Sequence, residues 1–130
     1  MKGNNLMKRI NSDKAPAAIG PYSQAYVVNG ILYTSGTLPL DPVNGNIVEG
    51  GIQEQTSQVI KNIDAILQEA GCKPTDVIKT TCFLSDMNNF ASFNEVYSTY
   101  FTGNPARSCV AVKELPKQVL VEIELIAKVA

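Results

Sequence analysis

The sequence predicts an α+β fold, a single mixed β-sheet with two helices packed on one face. Two short apolar runs flank an Asn-Gly turn, two longer segments repeat apolar residues at helical spacing, and β-branched runs follow each helical segment. Two helices cannot cover both faces of a five- or six-stranded sheet, yet several strands carry apolar residues on both alternations. We therefore expect the uncovered face to be buried against other subunits.

The first half of the chain predicts a hairpin followed by a long helix. Residues 25–28 and 31–34 flank Asn29-Gly30, a pair that accepts the positive φ angles of a tight turn. Apolar residues at helical spacing predict a helix over residues 52–70. Gly71 follows directly, where a left-handed residue commonly ends a helix.

The second half predicts a strand, a helix and two further strands. The β-branched and aromatic segment 77–84 is typical of a strand. Aromatic residues at helical spacing predict a helix over 90–101, with Asn89 as a candidate N-cap. Segments 108–112 and 119–129 are predicted strands, and we interpret them as a hairpin because only a short turn separates them.

Length and composition limit the classes of protein to which the chain can belong. With 130 residues, 45% of them hydrophobic, the chain is expected to form one domain over 1–130, with 1–6 as a disordered N-terminal extension. A net charge of −1 with scattered lysines is a poor basis for binding nucleic acid. No apolar stretch reaches the ~20 residues of a membrane span. The protein is therefore expected to be soluble and cytoplasmic, with neither a nucleic-acid nor a membrane partner.

The cysteines are expected to be structural rather than disulfide-forming. There are three, an odd number at wide spacing, which argues against a disulfide framework or a metal knuckle. Cys72 and Cys82 are predicted to be buried small hydrophobic residues. Cys109 is not expected to act as a nucleophile, because no neighbour in sequence would lower the pKa of its thiol.

Arginine is the scarcest cation in the chain, and histidine is absent. Only Arg9 and Arg107 occur, and Arg107 lies where a loop runs into an apolar strand. The planar guanidinium binds a carboxylate through two parallel hydrogen bonds, a geometry that lysine cannot reproduce. The absence of histidine removes the usual general base and most catalytic zinc sites. Any catalysis must depend on arginine, carboxylates, hydroxyls, thiols, backbone groups and water.

The expected hairpin of the last two strands would bring three polar residues together. Alternation places Arg107, Cys109 and Ala111 on one face of their strand. If the turn centres near residues 115–116, Cys109 faces Glu122. An arginine, a thiol and a carboxylate would then surround one small patch. The alternatives are a surface ion pair for Arg107 and a solvated strand-edge position for Glu122.

Other polar residues are weaker candidates when each is taken alone. Tyr22 follows a Gly-Pro turn and could contact a ligand, although core or interface packing is the commoner fate of a tyrosine. Ser35 and Gly36 end the first hairpin, and the glycine permits close approach of a bound group to the backbone. Asn94 lies within the second helix, where an asparagine is most often solvated.

Taken together, the motifs resemble those of the reactive intermediate deaminase (Rid, YjgF-like) family over about residues 7–130. The resemblance rests on the following residues in order: Gly20-Pro21-Tyr22-Ser23-Gln24-Ala25, Thr34-Ser35-Gly36, Gln55, Asn62-Ile63, Phe90 to Tyr97, Pro105-Ala106-Arg107-Ser108-Cys109-Val110 and Val121-Glu122-Ile123-Glu124. It implies a chorismate-mutase-like fold, a homotrimer, and small carboxylates bound in clefts between subunits. It also implies hydrolysis of 2-iminopropanoate and 2-iminobutanoate, formed from enamines that pyridoxal-phosphate-dependent serine/threonine dehydratases release.

The resemblance also assigns roles to individual residues. Arg107 corresponds to the carboxylate-binding arginine, and Glu122 corresponds to the glutamate that holds the attacking water. Further ligand-binding positions correspond to Tyr22, Ser35, Gly36, Asn94 and Cys109. The chain departs from the family pattern in a shorter loop at 102–105 and in Ala111, where glutamate is frequent. No metal or cofactor is implied.

Two other functions are compatible with the same residues. The arginine pocket of a non-catalytic protein would sense 2-ketoacids and regulate partners, but Glu122 and Tyr22 favour the enzyme. An RNA-cleaving translation inhibitor is a role known among relatives. The acidic pI, near 5.4, and the absence of histidine make RNA cleavage the weakest of the three.

Overall fold

Residues 7–130, which this computed structural model describes, form a six-stranded mixed sheet with two helices on one face. The strand order is β1-β2-β3-β6-β4-β5, with β4 and β5 parallel and the other neighbours antiparallel. The elements are β1 (Met7–Ile10), β2 (Ala25–Val28), β3 (Ile31–Thr34), α1 (Ile52–Ala70), β4 (Val77–Leu84), α2 (Phe90–Tyr100), β5 (Ala106–Ala111) and β6 (Val121–Lys128). The predicted α+β architecture is confirmed. None of the helices in 7–130 is long and apolar enough to cross a membrane.

The N-terminal hairpin forms at the predicted residues. Asn29 and Gly30 adopt φ angles of 51° and 80°, so both turn residues lie in the left-handed region. Strand β1, which pairs with β2, was not predicted, because three of its four residues are exposed and only Ile10 is buried. The expectation for residues 1–6 lies outside the described residues.

The predicted hairpin between the last two strands is wrong. Strand β4 lies between β5 and β6 and pairs with both. Helix α2 returns the chain to the end of the sheet at which β4 begins, so β5 runs parallel to β4. The chain then crosses to the other edge of β4, where β6 pairs antiparallel. A short connection therefore joins two strands that are not neighbours.

The helices begin and end through local hydrogen bonds. At the start of α1, the Glu54 carboxylate accepts a 2.8 Å hydrogen bond from the backbone N–H of Gly51, and at its end Gly71 adopts the predicted left-handed conformation. Asn89 occupies the N-cap position of α2, but its side chain makes no capping bond. The Asp86 carboxylate caps the preceding 3₁₀ turn instead, accepting from the N–H of Asn88.

Residues of strand β6 alternate between the two faces of the sheet. Val121, Ile123 and Leu125 are buried in the core beneath the helices. Glu122 and Glu124 alternate with them and therefore lie on the opposite face, which we call the open face. Large residues remain exposed there, among them Tyr33 and Val110. Burial of the open face against other subunits stays a prediction.

Candidate active site

The candidate site residues lie in two clusters on opposite faces of the sheet. Arg107 and Cys109 pair laterally with Thr80 and Cys82, which are fully buried under the helices. Glu122 instead pairs laterally with Phe83, which follows Cys82 in β4 and therefore faces the other way. Because side chains alternate along a strand, the arginine and the glutamate of one chain point to opposite faces. The expected patch of arginine, thiol and carboxylate within one chain is therefore wrong.

The first cluster, the arginine cluster, consists of Arg107 and three residues of α2: Phe90, Asn94 and Tyr97. The Nη1 atom of Arg107 donates a 2.7 Å hydrogen bond to Oδ1 of Asn94. Its guanidinium carbon lies 4.7 Å from the ring centre of Tyr97 and 5.4 Å from that of Phe90, both within cation–π range. Asn94 is thus not merely solvated, as its helical position alone had suggested.

Helical periodicity explains why these three residues meet one arginine. Phe90, Asn94 and Tyr97 are separated by four and three residues, so they share one face of α2. Arg107 lies on β5, an edge strand of the sheet, and its side chain is exposed. The cluster borders a cleft of about 360 Å³ that Arg107 and Asn94 both line. A cation that is held from one side and open on the other can receive a small carboxylate.

Cys109 lies beside this cluster, partly buried between the sheet and α2. Burial raises the pKa of its thiol, and nearby Arg107 opposes that effect. Cys82, its neighbour on β4, is fully buried, and burial raises its thiol pKa to about 12. Both cysteines are therefore mainly protonated at neutral pH and weak nucleophiles. The predicted burial of Cys72 and Cys82 is confirmed.

The second cluster, the glutamate cluster, consists of Tyr22, Ser35, Gly36 and Glu122. These residues line a groove of about 710 Å³ at one end of the sheet. The Glu122 side chain lies directly against the backbone of Gly36, where an added Cβ would come within 2.7 Å of the carboxylate carbon. A side chain at position 36 would therefore displace the Glu122 carboxylate from this place, so Gly36 leaves the space that the carboxylate occupies.

The rest of the glutamate cluster is built from loop residues held by hydrogen bonds. Tyr22 is about half exposed, with a relative accessibility of 52%. The Ser35 hydroxyl donates a 2.6 Å hydrogen bond to the carbonyl of Ser23 and so fixes the loop that carries Tyr22. Buried Gln24 bonds the backbone of Ser12 through both its amide oxygen and its amide nitrogen, and the nitrogen also donates a 2.9 Å hydrogen bond to the carbonyl of Pro16, which lines the groove.

Burial changes the protonation behaviour of Glu122. The carboxylate is half-buried on the open face, and desolvation raises its pKa above the ordinary glutamate range. The neighbouring carboxylate of Glu124 adds to this rise. A glutamate whose pKa is raised toward neutrality can both accept and return a proton, as a general base and acid must.

Residues that sequence reasoning did not single out complete both clusters. Phe90 and Tyr97 contact Arg107, whereas the sequence indicated only their helical spacing. Lys117 lines the groove beside Glu122 and adopts a φ of 57°, an unusual value for a lysine. Within residues 7–130, no group of three or more His, Cys, Asp or Glu residues converges as metal ligands do.

Comparison with known proteins places the chain among a large set of relatives. The family model described as endoribonuclease L-PSP matches residues 12–129. A protein of Lactococcus lactis named putative regulator AldR is 56% identical over 124 residues, covering 95% of this chain and 98% of that protein. The 2-iminobutanoate/2-iminopropanoate deaminase of Rattus norvegicus is 50% identical over 123 residues, covering 94% and 90%.

Solved structures agree with these sequence matches. The crystal structure of E. coli TdcF with bound serine superimposes with a TM-score of 0.89 at 42% identity, covering 95% of this chain and 99% of that one. This chain and that protein are therefore similar in both sequence and fold over nearly their whole lengths. The resemblance to the reactive intermediate deaminases is confirmed at the level of the family.

Proposed function

The chain belongs to the endoribonuclease L-PSP family, and we propose that it hydrolyses 2-iminopropanoate and 2-iminobutanoate to 2-ketoacids and ammonia. The observation that carries the proposal is the pair of complementary clusters. One presents an oriented arginine for a carboxylate, and the other presents a glutamate with a raised pKa. The deaminase name of the 50%-identical rat protein supports the same reaction.

The chemistry needs little beyond positioning and one proton carrier. Arg107 binds the substrate carboxylate and thereby fixes the imine carbon. Glu122 takes a proton from the attacking water as the new C–O bond forms. It returns that proton to the nitrogen, which gives a carbinolamine. Glu122 then transfers the hydroxyl proton to the nitrogen as the C–N bond breaks, so that the C=O bond of the 2-ketoacid forms and ammonia leaves. Tyr22 covers the bound substrate, and backbone groups of Gly36 and Cys109 orient it.

We propose further that each complete site joins the arginine cluster of one subunit to the glutamate cluster of the next, in a homotrimer. Within one chain these clusters lie on opposite faces of the sheet, so a substrate cannot contact both Arg107 and Glu122 there. A cyclic trimer repeats one heterologous contact three times and completes every site equivalently. Exposed apolar residues on the open face, such as Val110, support its burial in such a contact.

A trapping assay tests the reaction directly. A pyridoxal-phosphate-dependent serine/threonine dehydratase generates the imine, and semicarbazide traps what remains. We expect the protein to slow semicarbazone formation and to increase the amount of 2-ketoacid formed. Semicarbazone formation that proceeds at the same rate with and without the protein contradicts the proposed deaminase activity. We propose such a dehydratase as the physiological source of the imine, and the cytoplasm as the location of the protein.

Mixing two variants of low activity tests the shared site. Arg107→Lys keeps an intact glutamate cluster, and Glu122→Gln keeps an intact arginine cluster. When the two are unfolded together and reassembled at equal amounts, we expect about one quarter of wild-type activity, because that fraction of neighbouring pairs joins two intact clusters. Each variant reassembled alone is the control. Activity no higher in the mixture than in the controls contradicts a site shared between subunits.

The pH dependence of hydrolysis tests the role of Glu122. Because the base must be deprotonated, activity falls as the pH drops through the Glu122 pKa, which burial and Glu124 raise. Glu124→Gln removes the neighbouring charge, so we expect the acidic limb of the kcat/KM profile to move to lower pH. Glu69→Gln is the matched control, because Glu69 is an exposed carboxylate on α1, and we expect it to leave the profile unchanged. A profile that Glu124→Gln does not move contradicts the assignment of the limb to Glu122.

A second candidate function, carboxylate sensing without catalysis, is supported by the 56%-identical protein named a putative regulator. The arginine cluster forms within one subunit, so it can bind a 2-ketoacid without Glu122. Under this alternative, ligand binding persists while the trapping assay shows no effect. RNA cleavage has less support, because the chain has no histidine and a net charge of −1.

A further inference from the structure

Tyr97 lies beneath the guanidinium of Arg107 but is itself almost completely buried. The ring centre lies 4.7 Å from the guanidinium carbon, and only 7% of the residue is exposed. Its hydroxyl shares a 2.7 Å hydrogen bond with the hydroxyl of Thr80, which is fully buried on β4. Tyr97 therefore contacts the ligand-binding arginine from below, and only its small exposed part lines the cleft that Arg107 borders.

The ring of Tyr97 is held from several directions. Phe101 stacks on it with ring centres 4.4 Å apart, and Phe93 packs against it at 5.5 Å. Thr80, which anchors the hydroxyl, is the lateral partner of Arg107 across β4 and β5. The ring is therefore tied to the strand adjacent to the arginine, and its position relative to the Arg107 backbone is determined by the sheet.

A fixed ring in this position restricts the rotamer freedom of the Arg107 side chain. This side chain is long and exposed, and an exposed arginine must lose rotamer freedom when it binds a ligand. The hydrogen bond to Asn94 fixes one nitrogen, and a ring under the guanidinium restricts the plane of the group. A group that is oriented before the ligand arrives loses less freedom on binding, so the ligand binds more tightly.

We propose that Tyr97 is a positioning residue for carboxylate binding, whose ring orients the Arg107 guanidinium while its hydroxyl, through Thr80, serves mainly to stabilise the fold. The proposal rests on the proposed function only in taking a small 2-oxo or 2-imino acid as the ligand. It separates two roles within one side chain. Ligand affinity depends on the ring, and stability depends on both the ring and the hydroxyl.

Two substitutions separate these roles, with 2-oxobutanoate as the calorimetric probe. Tyr97→Leu removes the ring, and we expect the Kd to rise by up to about tenfold, because the guanidinium must then lose more freedom when it binds the ligand. Tyr97→Phe keeps the ring, and we expect the Kd to stay within about twofold of wild type even though thermal stability falls. Tyr100→Leu is the control: Tyr100 is also an α2 tyrosine in the aromatic packing, but it bonds Asp64 rather than approaching Arg107.

The kinetics of imine hydrolysis provide a second measure. Because orienting the arginine strengthens binding of substrate and transition state alike, Tyr97→Leu should raise KM by about the same factor as the Kd, with kcat changed less. A loss confined to kcat, or a wild-type Kd in a folded Tyr97→Leu protein, overturns the proposal. So does a Tyr97→Phe protein as weak in binding as Tyr97→Leu.

The scarcity of arginine allows a measurement that needs no ligand. The sequence contains only Arg9 and Arg107, so the side-chain N–H spectrum has two Nε signals. Arg9 lies over Tyr26, 5.9 Å from its ring centre, and serves as an internal reference. In Tyr97→Leu we expect the Arg107 signal to move, because it loses the ring-current contribution of Tyr97 and keeps only that of Phe90, while the Arg9 signal stays unchanged. An unchanged Arg107 signal overturns the proposal even if no ligand is found.

These measurements also distinguish failure of the inference from failure of the proposed function. A wild-type protein that binds 2-oxobutanoate without hydrolysing imines contradicts the deaminase proposal, but the effect of Tyr97→Leu on Kd still decides the role of Tyr97. A wild-type protein that hydrolyses imines with no dependence of KM on Tyr97 contradicts only the inference.

Discussion

Replacing Glu122 by glutamine is expected to reduce imine hydrolysis by about a hundredfold or more while leaving 2-ketoacid binding close to wild type. The amide keeps the size of the side chain and an acceptor oxygen, so the water can remain bound. It cannot take up a proton at neutral pH, so that water is no longer activated. Semicarbazide trapping measures the rate, and calorimetry with 2-oxobutanoate measures the affinity.

The comparison with Glu124→Gln makes this experiment specific. Glu124 is the next residue on the same face of β6, and its amide variant loses the same charge without removing the proposed base. We expect it to retain most activity near the pH optimum. If Glu122→Gln keeps both hydrolysis and binding, the glutamate is not the base and the sensing function gains support. If a folded oligomer loses both, the residue maintains the groove against Gly36 rather than directing water.

Replacing Arg107 by lysine is expected to weaken both substrate binding and hydrolysis by about tenfold to a hundredfold. Lysine keeps the positive charge, but it loses the two parallel hydrogen bonds to a carboxylate. A hydrogen bond to a charged group contributes about 1.5–3 kcal/mol, which corresponds to that range. The planar contacts with Tyr97 and Phe90 are lost as well. The measurements are KM in the trapping assay and Kd for 2-oxobutanoate.

Arg9→Lys is the natural control, because Arg9 is the only other arginine and also contacts a tyrosine ring. Its Nε atom bonds the Tyr26 hydroxyl at 3.3 Å on the far edge of the sheet, away from Arg107. We expect wild-type hydrolysis from this variant. Wild-type activity from a folded Arg107→Lys protein would instead mean that Arg107 serves only to secure α2 through Asn94.

Local sequence signals accounted for most of the secondary structure. The hairpin at Asn29-Gly30 and the end of α1 at Gly71 depend on residues adjacent in sequence, so their turn chemistry is readable directly. Strand β1 was missed because a four-residue edge strand with a single buried residue carries almost no alternation signal. The capping of the turn before α2 by Asp86 rather than Asn89 was missed because both residue types are suitable caps.

The partners of the strands could not be obtained in the same way. A short connection between two strands favours a hairpin, and on that basis Cys109 was placed opposite Glu122. The structure instead inserts β4 between β5 and β6: β4 pairs with β5 over residues 79–84 and with β6 over residues 77–84, with a register shift at 77–79. Pairing on both edges buries more apolar surface than a two-stranded hairpin at the edge of the sheet.

The sequence by itself determined the α+β class, the positions of both helices, the alternation of β6 and the identities of Arg107 and Glu122 as candidate site residues. Those features depend on periodicity and residue chemistry, which are properties of neighbours along the chain. Only the tertiary structure decided that the two residues lie on opposite faces and that Tyr97 lies beneath Arg107. Strand order and helix packing follow from burial between residues distant in sequence, and no local pattern encodes which of them will meet.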